Sequence, residues 1–169
     1  MSERMDYTGM SWSELERLVY ADGRNFTNIA LGRLERPEKV RKKIRQAFVT
    51  AFKKGETFDQ LTARIQKIIG SEAYAARRIV QTEATRIESI AKQQAAEAIE
   101  AQTGRSIYKQ WICTFQNSRD SHIFLHGAMV PLHDDFQAFG GPMQYPGDDS
   151  RVGPEEIINC RCYMIFHAR

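Results

Sequence analysis

Apolar residues recur at three- and four-residue steps through the first third of the chain, at Val40, Ile44, Ala47, Phe48, Ala51 and Phe52, with basic residues between them. That spacing puts one apolar stripe on a helix, and Pro37, with no N–H to lose, suits its first turn. Gly55 ends it. Thr57-Phe58-Asp59-Gln60 then has the form of a capping box, and Phe58, Leu61, Ile65 and Ile68 carry a second stripe to a stop at Gly70. Ser71 opens a third helical stretch over 72–102, about 45 Å long if continuous at roughly 1.5 Å per residue. Its stripe of Ala76, Val80, Ala84, Ile87, Ala91, Ala95 and Ala98 is mostly alanine, which lets a neighbouring helix come close.

The signal before Pro37 is weaker: Ser11 or Ser13 caps a helix through Leu15, Leu18 and Val19 that Asp22-Gly23 stops, and a short helix covers 25–34. Beyond Gly104 the period changes from near 3.6 to 2. Ile107, Lys109, Trp111, Cys113 and Phe115 alternate with Tyr108, Gln110, Ile112 and Thr114, which predicts a strand. Ser118 caps a short helix through Leu125 that Gly127 terminates, and 128–132 is a second extended piece. Residues 134–153, rich in Gly, Pro and Asp, read as a long surface loop, and Pro154-Glu155-Glu156-Ile157 as one helical turn. A final strand over 160–166 carries Cys160, Cys162, Met164 and Phe166 on one side. The predicted fold is α+β: an N-terminal helical hairpin or bundle with one long helix, packed on a small C-terminal antiparallel β-sheet with a short helix and long loops. The expected division is a helical basic region over 1–104 and a small α+β module over 105–169.

Composition allows this fold without staples, since 169 residues at 42% hydrophobic suffice for one ordinary core. No apolar run approaches the roughly 20 residues that cross a bilayer, and the first segment lacks a signal peptide's basic start, so synthesis in a cytoplasm and no membrane partner are expected. Charge is divided unevenly. From Trp111 onward four Arg and no Lys stand against seven Asp and Glu, a local charge of −3, which leaves +6 for residues 1–110 within the overall +3. Arg41, Lys42, Lys43, Arg45, Lys53 and Lys54 concentrate the positive part on one helix, which suits either a polyanion such as double-stranded DNA or a solvated helix face.

Three cysteines, an odd number without a secretion signal, point to reduced thiols rather than a disulfide framework. His122 and His126 are four apart on a predicted helix, Cys160 and Cys162 share a strand face, and Cys113 lies on another strand; zinc takes such nitrogen and sulfur sets. Against a metal stands the spacing of the cysteine pair, about 6.5 Å apart at the backbone on an extended strand, where structural zinc sites commonly use a tighter knuckle. Buried thiols beside a hydrogen-bonded histidine would leave the same pattern, and no cofactor is then expected. A Cys-His nucleophile, with Cys160 or Cys162 activated by His122 and oriented by Asp120 or Asn159, is a further reading, as is a metal-dependent nuclease. Glu83 and Arg86, three apart with Thr82 beside them, form either an ordinary surface pair or one side of a buried network completed by Arg119, His122 and Asn159 that docks the two halves.

Several motifs follow one another in fixed order: Gln81-Thr82-Glu83 with Arg86, then Arg119-Asp120-Ser121-His122 and Gly127, Val130-Pro131-Leu132, Tyr145-Pro146-Gly147-Asp148, and Asn159-Cys160-Arg161-Cys162. Taken together over residues 56–166 they resemble the C-terminal module of the Mu F-like phage head morphogenesis family, minor capsid proteins packaged beside the portal. The sequence departs from the family pattern at Gln81, which replaces an arginine, and at His126, which replaces an aspartate before the glycine. The resemblance implies a phage or prophage minor capsid role without turnover, with the portal protein, capsid or scaffold components and non-specifically bound DNA as partners. It also implies assembly in the bacterial host cytoplasm and a final place inside the virion. A typical member is longer, which implies that part of a portal-interacting region lies outside this sequence. The module also occurs beside toxin domains, so a prophage effector or hydrolase using His122 with Cys160 or Cys162 is the alternative.

Overall fold

The computed structural model describes Ser11, Ser13, Arg17, residues 38–70 and residues 73–169. Ser13 and Arg17 are helical; Leu15, Leu18, Val19, the expected 25–34 helix, Pro37 and Ser71 lie outside the described residues.

Among the described residues from Glu38 onward, three helices come first. Helix α1, Glu38–Lys54, buries Ile44, Ala47, Phe48, Val49, Ala51 and Phe52, the stripe set by their spacing. Gly55 leaves it at φ +61, and the chain enters α2, Phe58–Ile69, through a complete capping box. There Thr57 N–H donates to Gln60 Oε1 at 2.8 Å and Gln60 N–H to Thr57 Oγ1 at 3.3 Å, satisfying two donors that the helix start would otherwise leave open. Gly70 closes α2 in the left-handed conformation. Helix α3, Ala73–Thr103, then packs its first half, through Ala76, Ile79, Val80 and Ile87, on the inner faces of α1 and α2. Fully burying side chains such as Phe48, Leu61 and Ile65 stabilises this cluster by roughly 1.5–3 kcal/mol each.

The second half of α3 faces different company. Strand β1, Ile107–Ile112, is the centre of an antiparallel sheet in the order β2-β1-β5, with β2 at Met129–Pro131 and β5 at Tyr163–Ala168. Trp111 pairs with Met164 and Lys109 with Phe166. Trp111, Leu125, Phe136, Met143, Ile157, Cys160 and Met164 form the core of this part, and Ala96 of α3 meets Ile107 and Leu132 beneath the sheet.

Three sequence expectations change here. The strand expected through Phe115 stops at Ile112, because Phe115 (φ +61) and Asn117 (φ +53) turn the chain away. The supposed surface loop 134–153 holds a hairpin, β3 at Phe136–Ala138 paired with β4 at Gly141–Met143, and buries Phe136, Met143, Pro146, Gly147 and Asp148. Its glycines and prolines fold it inward rather than loosen it. The last strand starts at Tyr163 instead of Cys160, since α5, Pro154–Ile157, is followed by Asn159 at φ +59 and the backbone straightens only past Cys162.

Candidate metal centre

That left-handed turn decides how the cysteines are presented. Off the strand, the segment 158–162 curls against the short helix α4, Asp120–Phe124, so that both thiols reach the same imidazole: Cys160 Sγ and Cys162 Sγ each lie 3.5 Å from His122 Nδ1. The extended spacing that argued against a shared site does not apply. The three ligand atoms all fall within 4.8 Å of one another, a set capable of coordinating a metal ion. All three side chains are buried, His122 at 1% exposure.

The other ring nitrogen of His122 faces a carboxylate. Nε2 lies 3.0 Å from Glu156 Oε2, too oblique for a hydrogen bond, so it stays a buried polar atom with no hydrogen-bond partner. Ser121 Oγ donates to the same Glu156 oxygen at 2.9 Å and holds it in place. Trp111 packs edge-on against the imidazole, with ring centroids 5.1 Å apart, and closes the inner side. Hydrogen bonding to Cys162 holds the Cys160 thiol below the usual thiol range, and the same contact together with burial pushes Cys162 up. On the open side a cavity of about 10 Å³, room for one water or ion, is bounded by Asn117, Ser118, Arg119, Asn159 and Arg161 as well as the three candidate ligands.

Two sets of polar groups hold the cysteine segment from opposite directions. From the N-cap position of α4, the Arg119 guanidinium donates to the carbonyls of Glu156 at 2.5 Å and Ile158 at 2.6 Å. From α3, Thr85 Oγ1 donates to the Cys160 carbonyl at 2.7 Å, Gln81 Nε2 to the same oxygen at 3.2 Å, and Thr82 Oγ1 accepts from the Asn159 N–H at 2.9 Å. Each of these backbone groups would otherwise sit in or near the core without a partner.

The remaining candidates are distributed around this centre. Glu83 and Arg86 pair at 3.2 Å on α3, with Glu83 at 2% exposure, so they are a buried pair and not a surface one. Arg45 of α1 and Asp149 are the other charges that act on Glu83. Burial pushes the Glu83 carboxyl up from 4.5 to about 7 against the pull of Arg86. Cys113 is buried but outside the three-residue set, its sulfur accepting the Phe115 N–H at 3.4 Å. His126 does not join His122 on one helix face, because α4 ends at Phe124; it is exposed, packs at a tilt against the Phe115 ring and accepts the Cys113 N–H at 3.1 Å. On α1, Lys42, Lys43, Lys53 and Lys54 are exposed, whereas Arg41 and Arg45 are half-buried and paired with Glu38.

A family described as Phage Mu protein F like protein matches residues 42–165. That span is most of the chain. The chain belongs to this phage head morphogenesis family. No curated protein and no solved structure matches it.

Within this Mu F-like chain the departure at Gln81 has a structural use, since its amide reaches both the Cys160 carbonyl and Thr85 Oγ1. Two other residues matter that sequence reasoning passed over. Glu156 carried the only available signal, as the second of two acids in a one-turn helix where one side must face inward. Lys109 sits on the buried face of β1 with no exposure, donating to the Gln144 carbonyl at 2.8 Å; burial pushes its ammonium down to about 8.

Proposed function

We propose that this protein is a phage or prophage minor head protein that works by binding, associating with the portal and capsid components during assembly in the host cytoplasm and ending inside the virion. The family match over residues 42–165 is the observation that carries this reading. Burial of the cysteine and histidine cluster supports a role without turnover: beside His122, Cys160 and Cys162 there is space for an ion or a water, not for a scissile bond. Among the described residues, no helix is long and apolar enough to cross a membrane.

Contact with packaged DNA is the finer part of the proposal. Lys42 and Lys53, like Lys43 and Lys54, are eleven positions apart, close to three helical turns, so the four exposed lysines stack in two rows on α1. Beside them, Lys43, Arg64 and Lys67 border a groove of about 300 Å³ between α1 and α2. Such a face attracts phosphate without reading sequence, and its affinity falls steeply with salt. The test is co-purification of the full chain with its portal, alongside duplex-DNA binding across a salt series. Portal association, with DNA affinity that is sequence-independent and loses about one unit of log–log salt slope for each lysine neutralised, is expected. A folded protein that binds neither refutes the reading.

A further inference from the structure

We propose that His122, Cys160 and Cys162 bind one zinc ion, with His122 Nδ1 and the two sulfurs as ligands and a water in the fourth position facing the small cavity by Arg119 and Arg161. The distances carry the assignment. Zinc–sulfur bonds of about 2.3 Å and a zinc–nitrogen bond of about 2.05 Å at tetrahedral angles require a nitrogen-to-sulfur edge of about 3.6 Å. Both sulfurs lie 3.5 Å from Nδ1, and all three atoms lie within 4.8 Å of one another. The sulfur-to-sulfur edge of such a tetrahedron is about 3.8 Å. That edge falls inside the 4.8 Å within which the three ligand atoms lie.

The surroundings fit a metal-bound histidine. A ligating imidazole commonly turns its second nitrogen to a carboxylate, which fixes ring orientation and raises donor strength. Glu156 occupies that position, 3.0 Å from Nε2 and held by Ser121. Small rotation of the ring as Nδ1 engages the ion would bring the Nε2–H into line with that oxygen and satisfy a polar atom now lacking a hydrogen-bond partner. The cysteine segment is also held in advance: Arg119 on the carbonyls of Glu156 and Ile158, and Gln81 and Thr85 on the carbonyl of Cys160, limit how far the thiols can move without an ion. Zinc rather than a harder cation follows from two thiolates and an imidazole. On binding, the cysteines release their thiol protons to solvent and form two zinc–sulfur bonds, with no change of oxidation state.

The test uses the full chain purified under reducing conditions without an affinity-tag histidine run. Elemental analysis is expected to find close to one zinc per chain in wild type and in Cys113→Ser, and none in Cys160→Ser/Cys162→Ser. Because the double variant can misfold, wild-type protein is also stripped with a chelator and titrated with cobalt. Strong visible bands of tetrahedral cobalt with thiolate charge transfer, saturating at one equivalent and displaced by zinc, support the site. Folded, reduced wild type that takes up neither ion overturns it, as does a weak octahedral cobalt spectrum or zinc retained undiminished in the folded double variant.

Discussion

Gly147, at the centre of Tyr145-Pro146-Gly147-Asp148, offers the sharpest test of how the C-terminal part seats on α3. Its φ is +85, and a Cβ built there would stand 3.1 Å from Arg86 Cα, 3.2 Å from Arg86 N and 3.3 Å from Arg86 Cβ. Two of these atoms are helix backbone, which cannot swing aside as a flexible side chain can. Gly147→Ala therefore carries two penalties, a left-handed conformation costing about 1–2 kcal/mol and an overpacked contact costing about 1–3 kcal/mol. Gly70→Ala isolates the first of them: its φ is +60, but nothing lies within 4 Å of its added Cβ. The reduced backbone freedom of the unfolded chain is common to both substitutions and cancels in the comparison. Equilibrium urea unfolding is expected to show Gly147→Ala less stable than wild type by about 2–5 kcal/mol and Gly70→Ala by about 1–2 kcal/mol. Equal losses within about 0.5 kcal/mol would refute the claim that the loop depends on bare contact with α3, since that is the ordinary spread for independent sites.

Glu83 predicts a pH dependence. Its carboxyl is raised from 4.5 to about 7 in the folded chain, so its contribution is fully present below pH 4.5 and lost as pH rises through 7. Glu83→Gln does not titrate, and its stability relative to wild type should grow by about 3 kcal/mol between pH 4.5 and pH 8; a flat difference in parallel denaturation series would rule this out. Thr82→Val strips the partner from the Asn159 N–H and should cost about 1–3 kcal/mol. Thr85→Val leaves the Cys160 carbonyl its bond from Gln81 and should cost less, about 0.5–1.5 kcal/mol. The reverse order in thermal or chemical unfolding would contradict this division of roles.

Sequence pattern read the helices well because their signals are local. Thr57 to Gln60 cap α2 through groups three residues apart, and the α1 stripe needs only a generic apolar neighbour. The α+β layout was legible for the same reason, through the change of period at Gly104. What escaped was long-range. Helix α3 buries a second, polar stripe, Thr82, Thr85, Ser89 and Gln93, at helical steps of three and four. Searching for apolar periodicity passes over such a stripe, although its spacing is as regular as the alanine one. The metal-ligand geometry was hidden by a single conformational choice, the left-handed Asn159, which ends the extended run assumed for Cys160 and Cys162. The turn-forming residues of 134–153 suggest a surface loop, yet the burial of Phe136 and Met143 pulls the hairpin inward.

The polar stripe also explains why motifs so far apart in sequence belong together. An alanine-rich helix face alone would hold a sheet with little preference for register, since apolar contacts are non-directional. Backbone groups of irregular segments are less forgiving, because each one left unpaired in the interior costs about 1–3 kcal/mol. Thr82 and Thr85 take up Asn159 and Cys160, and Gln93 takes up the Leu132 carbonyl at 3.0 Å. Farther round the helix, Gly147 rests on Arg86 beside its pair with Glu83. A shift of α3 by one residue would break all of these at once. Docking is thus specified along roughly three turns of one helix, and the same contacts fix the backbone that carries Cys160 toward His122. The helical part and the cysteine and histidine cluster are therefore one mechanical unit: whatever displaces α3 also moves a ligand atom of the proposed zinc site.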